Sequence, residues 1–149
     1  MSSCNDTIES IVRDLTERAK ELNCLYAVEE VTSAADVSLD DVFRGVIEAI
    51  PAGWQYPGAC QARIIYNGTD YQSPNFAPSP WVQRATIQVQ GEPAGTVEVY
   101  YSEQMPVAAE GPFLEEERKL ISTIADRLGS FITHRRLLGA MQDWRSARQ

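Results

Sequence analysis

Few side chains in this sequence can carry chemistry. The 149 residues include one histidine, His134, and three cysteines, Cys4, Cys24 and Cys60. Serine–histidine or cysteine–histidine catalysis and any histidine-based metal site would all have to run through His134, so neither catalysis nor a metal or other cofactor is expected. His134 stands beside Arg135 and Arg136. It reads as a solvated helical residue, with only a faint likeness to the His-Arg that follows a phospho-acceptor position. Cys60 starts a strand on its apolar side and reads as a structural thiol rather than a reactive one. The better candidates are polar residues that alternate along strands: Gln61 and Arg63, then Arg84, Thr86 and Gln88, then Glu98 and Tyr100. Two guanidinium groups on one face suit a small anionic ligand. Trp54, Tyr56, Tyr71, Phe76 and Trp81, from neighbouring loops, would form its lid. The competing reading makes Arg63, Arg84 and Glu98 a cross-strand ion network, with the aromatics as a secondary core.

These residues need a sheet to position them, and the stretch 85–101 supplies its centre. Ala85, Ile87 and Val89 point one way, and Arg84, Thr86, Gln88 and Gln90 the other; Val97, Val99 and Tyr101 oppose Thr96, Glu98 and Tyr100. Such period-two alternation predicts two strands, each with one buried face. Between them, residues 90–95 read as a hairpin loop, with Gly91 and Gly95 free to take positive φ and Pro93 unable to donate. Residues 59–66 read as another strand. Asn67-Gly68 is a two-residue hairpin signal, and 69–72 is the short return strand. Residues 73–81 carry three prolines and should be irregular.

Helices must cover the apolar face. Residues 6–33 read as one long helix capped by Asn5 or Asp6, with Ile8, Leu15 and Leu22, and Ile11 and Leu25, at heptad spacing. Arg18 is the flaw in that seam. So long and narrow a stripe predicts pairing with a second copy. Ser38 caps a second helix, in which Leu39, Val42, Phe43, Val46, Ile47 and Ile50 make a wide apolar face that Pro51 ends. A last helix starts near Phe113 or Leu114, with Glu115, Glu116 and Glu117 in its first turn. It carries Leu128 and Phe131 as further dimer-interface candidates. The expected organisation is one domain, 1–149: dimerisation helix 6–33, core 38–132 and a helical tail 133–149 that Gly139 ends or weakens.

The totals narrow the function. A net charge of −8 leaves no basic patch for nucleic acid. There is no 18-residue apolar run for a membrane span, and MSSCNDTIES lacks the features of a signal peptide. An odd number of widely spaced cysteines fits reduced thiols in cytoplasm.

The order helix, helix, strand, strand, loop, strand, strand, helix resembles a GAF domain, a sensor module that itself resembles PAS. The resemblance rests on helix 39–50 leading into ARIIY (62–66), on ATIQV (85–89), on GEPAGTVEVYY (91–101) and on EGPFLEEERKLISTIADRLGSFI (110–132). It covers about residues 22–135. More narrowly, the WQYP turn, the NFAPSPW loop and the ending EVYY…EGPFLEEER are similar to compact GAF-like domains found beside histidine kinases and phosphoenolpyruvate-synthase-like enzymes. The resemblance implies an α+β fold: an antiparallel sheet of four to five strands, helices on one face, and long terminal helices running together. It also implies a non-enzymatic sensory or regulatory role, a homodimer, an output partner such as a kinase, and a ligand on the polar sheet face under the irregular loop. Residues 73–84 are too few to form the pocket of the larger relatives, and neither the bilin-attaching Cys-His pair nor the cyclic-nucleotide signature is present. The alternatives are a structural dimerisation module without a ligand and a thiol-dependent methionine sulfoxide reductase of the GAF type. Cys4 and Cys24 lie far along the chain from Cys60, which argues against the latter.

Overall fold

The computed structural model describes residues 2–34 and 37–147, with side chains from residue 6 onward. The chain is α+β. Helix α1 (Ser2–Ser33) and helix α2 (Leu39–Ala49) precede two single-turn 3-10 segments, Pro51–Gly53 and Pro57–Ala59. Four strands follow, β1 (Cys60–Tyr66), β2 (Thr69–Gln72), β3 (Val82–Val89) and β4 (Glu92–Tyr101), and helix α3 (Glu115–Ala147) closes the described chain. The sheet is antiparallel in the order β2-β1-β4-β3.

Alternation sets the two faces. Ala62 and Ile64 of β1, Ile87 of β3 and Val97, Val99 and Tyr101 of β4 are fully buried. Against them pack Val42, Phe43 and Val46 of α2 and Leu120, Ile121, Ile124 and Leu128 of α3. Helix α1 contributes less: only Cys24 and Val28 are buried among its described side chains. The local signals for α2 act as expected, since the Ser38 hydroxyl accepts from the Asp41 N–H at 3.1 Å and Asp40 and Asp41 occupy the first turn.

Several boundaries differ from the sequence expectation. Helix α1 starts at Ser2 rather than near Asp6, and the side chain of Asn5 lies outside the described residues. The long hairpin is tighter than residues 90–95. Gln90 and Gly91, at φ 55° and 81°, make a two-residue turn, and Pro93 and Gly95 belong to β4. A register shift between Ile87 and Gln88 absorbs the proline. Gly95 is needed for space instead of for positive φ: a Cβ there would lie 2.1 Å from the Ile65 carbonyl oxygen. Gly139 does not end α3, which runs without a break from Glu115 to Ala147.

Leu128 is fully buried against the sheet. The dimer interface proposed for it is therefore corrected: its heptad partner Ile121 and neighbour Ile124 are equally buried, so this repeat faces the chain's own core. Phe131 is half-buried at the edge of that core, with the Arg135 guanidinium 5.0 Å above its ring.

Candidate functional site

The sheet register brings the three charged candidates into one row. On β4, Glu98 is paired with Arg63 of β1 on one side and with Arg84 of β3 on the other. Its carboxylate accepts from Arg84 Nε at 2.8 Å and from the Tyr100 hydroxyl at 2.9 Å. Arg63 Nε stands 3.7 Å away, and its terminal nitrogen meets Asp70 of β2 at 3.0 Å. Glu98 is nearly enclosed, at 6% exposure, whereas the side chain of Arg84 remains 58% exposed. Arg63 Nε is buried and finds no hydrogen-bond partner among the described residues. The bond to Glu98 raises the pKa of Arg84, and burial followed by the same carboxylate raises that of Tyr100.

The irregular loop does cross this face. Gln61 clasps it through both ends of its amide: Nε2 donates to the Ala77 carbonyl at 3.2 Å, and Oε1 accepts from the Ala77 N–H at 2.9 Å. Phe76 then stands edge-on to Tyr100, with ring centroids 5.0 Å apart. The other aromatics assigned to the lid belong elsewhere. Trp54 is fully buried and donates from its indole N–H to Gln83 Oε1 at 3.2 Å. Tyr56 stands edge-on to Tyr101, and Tyr71 packs against Phe43 and donates to Asp40. Trp81 packs half-buried against the main core. For Trp54 and Tyr56 the reason is the path of the chain from α2, whose turns at Pro51 and Pro57 run along the helical side of the sheet; Tyr71 is on that side because it pairs with the buried Ile64.

A second polar cluster, on the helical side, has no counterpart in the sequence expectations. Glu117 is 1% exposed. Its oxygens accept from the Leu114 N–H and the Gln55 N–H, each at 2.7 Å. Burial raises its carboxyl pKa, and the two N–H donors oppose that shift. The spacing held a hint, because a glutamate three residues into a helix is placed to reach back to the capping N–H. Nearby, Gln83 Nε2 donates to Glu110, which also pairs with Arg118. The Arg118 guanidinium holds the Glu110 carboxyl below the ordinary carboxylate range. Arginines pair with Glu98 and Glu110, whereas Glu117 is held by N–H and O–H donors, and all three carboxylates tie separate elements together.

Two thiols lie on the same side, Cys24 buried and Cys60 partly buried. Burial raises the Cys60 thiol, with Glu117 and Cys24 adding to the shift, and pushes Cys24 up to about 11. The fold thus brings Cys24 into electrostatic range of Cys60, although 36 positions separate them in the chain. Native protein at pH 8 is expected to alkylate at Cys24 and Cys60 far more slowly than free cysteine, as read by mass spectrometry of the peptides. Labelling of Cys60 at the free-thiol rate would favour the reductase reading. The side chain of Cys4 lies outside the described residues. Among the described residues, no group of three or more His, Cys, Asp or Glu is placed to hold a metal ion.

Compared with known proteins, the chain matches no protein-family model and no curated protein. No helix among the described residues is long and apolar enough to cross a membrane.

Proposed function

We propose that this chain is a non-enzymatic sensory or regulatory module, of the GAF-like kind its sequence resembles, which works as a homodimer through its long helices. One observation carries the reading. Of the eleven large hydrophobic side chains that stand exposed among the described residues, six lie on α1 (Ile8, Ile11, Val12, Leu15, Leu22 and Tyr26) and four on the end of α3 (Leu137, Leu138, Met141 and Trp144). Exposed apolar surface concentrated on two helices in this way marks an interaction site. Helix α3 packs on the sheet and against α1, so a change at the sheet has a rigid path to that surface. Replacing Leu15 and Leu22 together by glutamate is expected to turn a dimer into a monomer in sedimentation equilibrium without loss of helix signal. A double variant that still sediments as a dimer overturns the interface.

The polar face is the proposed input. A small acid would bind Arg84, the accessible guanidinium, and draw Arg63 from Glu98. Arg63→Ala and Arg84→Ala are each expected to weaken binding of such acids at least tenfold, measured by calorimetry against a panel of small carboxylates and phosphates. Unchanged binding in both removes the ligand. The second reading, a dimerisation or protein-interaction module with no ligand, is favoured by the pairing of both arginines with Glu98. An output domain such as a kinase is part of the proposal only through the resemblance.

A further inference from the structure

The two long helices run parallel and staggered. Residue 21 of α1 is within electrostatic range of Glu116 and Lys119, Glu29 pairs with Arg127, and Thr32 and Ser33 share a cleft with Phe131 and Leu138. Sequence numbers rise together along both helices. Helix α1 therefore extends past the start of α3 at one end of the molecule, and α3 extends past the end of α1 at the other. Each overhang is roughly 15 residues, or about 22 Å at 1.5 Å per residue.

Both overhangs carry apolar surface that the chain's own core does not use. At about 100° per residue, Ile8, Leu15, Leu22 and Tyr26 share one side of α1, and the buried Cys24 and Val28 lie on the opposite side. On α3, Leu137 and Met141 lie opposite the buried Leu128. The overhangs also differ in charge. Residues 6–16 hold Asp6, Glu9 and Asp14 against Arg13, a net negative segment. Residues 134–147 hold Arg135, Arg136 and Arg145 against Asp143, a net positive one.

A dimer whose two-fold axis runs along the helices would set α1 on α1 and α3 on α3, joining like charges at both ends. A two-fold axis perpendicular to the helices does the reverse. It turns one copy over, so that each α1 overhang lies antiparallel beside the partner's α3 overhang. Residues 8–15 then come level with the stretch around Leu137–Met141, and Leu22 and Tyr26 approach their own counterparts near the axis. All of this surface is covered at once, opposite charges meet, and the assembly closes. We infer that the homodimer is of this crossed kind, with the occupant of each α1 stripe being the α3 overhang of a second copy. The inference rests on the self-association proposed above and specifies its geometry.

Charge exchange tests it. The pair Asp6→Lys and Glu9→Lys reverses the α1 overhang; Gln142→Glu and Arg145→Glu reverses that of α3. All four positions are exposed. At low salt, each pair alone is expected to raise the dimer dissociation constant about tenfold, and the combination of all four is expected to restore it to within about threefold of the unmodified protein. A nitroxide at Met141→Cys, with Cys4 replaced by serine, gives a second readout. The crossed dimer places the two labels about 50 Å apart along the helices, whereas α3 packed on α3 holds them within about 20 Å. A dimer with short label distances, or without rescue in the fourfold variant, overturns the crossed arrangement and leaves the dimer standing. A monomer at every concentration from micromolar to millimolar overturns both.

Discussion

Glu117→Ala is expected to destabilise the protein by about 3 kcal/mol, because it strips the acceptor from two partly buried backbone N–H groups and leaves a void beneath α3. For a chain of this length, that is a fall in Tm of roughly 10 °C. The carboxylate ties the first turn of α3, through Leu114, to the turn that follows α2, through Gln55. Tyr101, the last residue of β4, donates from its hydroxyl to the same side chain. Three elements are thus fixed by one residue. The more informative variant is Glu117→Gln, which keeps the volume and removes the titration. Burial raises the Glu117 pKa, so the folded chain holds this proton at pH values where the unfolded chain has released it. Stability from this group therefore falls as pH rises from the ordinary carboxylate range through the raised value. In urea titrations, the stability of the unmodified protein relative to Glu117→Gln should be greater at pH 4.5 than at pH 7. A difference that stays flat across that interval would mean that this carboxyl titrates alike in the folded and unfolded chains, and one that rises with pH would mean a carboxylate stabilised by the fold.

The second large effect comes from one substitution at two places on the same helix. Gly129 faces β3, and a Cβ there would lie 2.2 Å from the Gln88 carbonyl oxygen. That oxygen belongs to a sheet strand and cannot step aside as a flexible side chain would. Gly129→Ala must lift α3 away from the sheet, separating Ile124, Ala125 and Leu128 from the strands they bury, at a cost of about 3 kcal/mol. A Cβ at Gly139, ten residues further along α3, meets nothing within 4 Å. There Gly139→Ala should raise stability by about 0.8 kcal/mol through helix propensity alone. Thermal unfolding of the two variants side by side checks both. Equal effects of either sign would mean that α3 does not approach β3 as closely as the structure places it.

Much of the architecture was legible because it depends on local chemistry. The alternation in 59–66 and 85–101, the Asn67-Gly68 turn, the Ser38 cap and the proline-rich stretch 73–81 each act through near neighbours, and each produced the expected element, although β1 starts one residue later, β3 three residues earlier, and the 90–95 loop is a two-residue turn. The candidate site was legible in part. Arg63, Glu98 and Arg84 share a face because a strand has a period of two, and antiparallel pairing sets them side by side. Phe76 was correctly assigned to that face, since its loop has to cross the sheet edge.

Other features depend on partners far along the chain. Nothing in the turn between α2 and β1 says on which side of the sheet it runs, so Trp54 and Tyr56 were assigned to the wrong face. A heptad repeat reports an apolar stripe but not what covers it. Leu15 and Leu128 therefore looked alike in sequence, although one is exposed on the outside of α1 and the other is sealed against β-strands. Glutamates at the start of a helix favour the dipole whether exposed or buried, so only packing sets Glu117 apart from Glu115 and Glu116. By itself, then, the sequence determined which segments are helix, strand and turn, and which side of each strand is apolar, because those follow from backbone sterics and side-chain periodicity. Tertiary structure alone decided which apolar stripe meets the core, which glycine lets a helix touch the sheet, and which carboxylate is enclosed, because burial belongs to a pair of surfaces and only one of the pair is local.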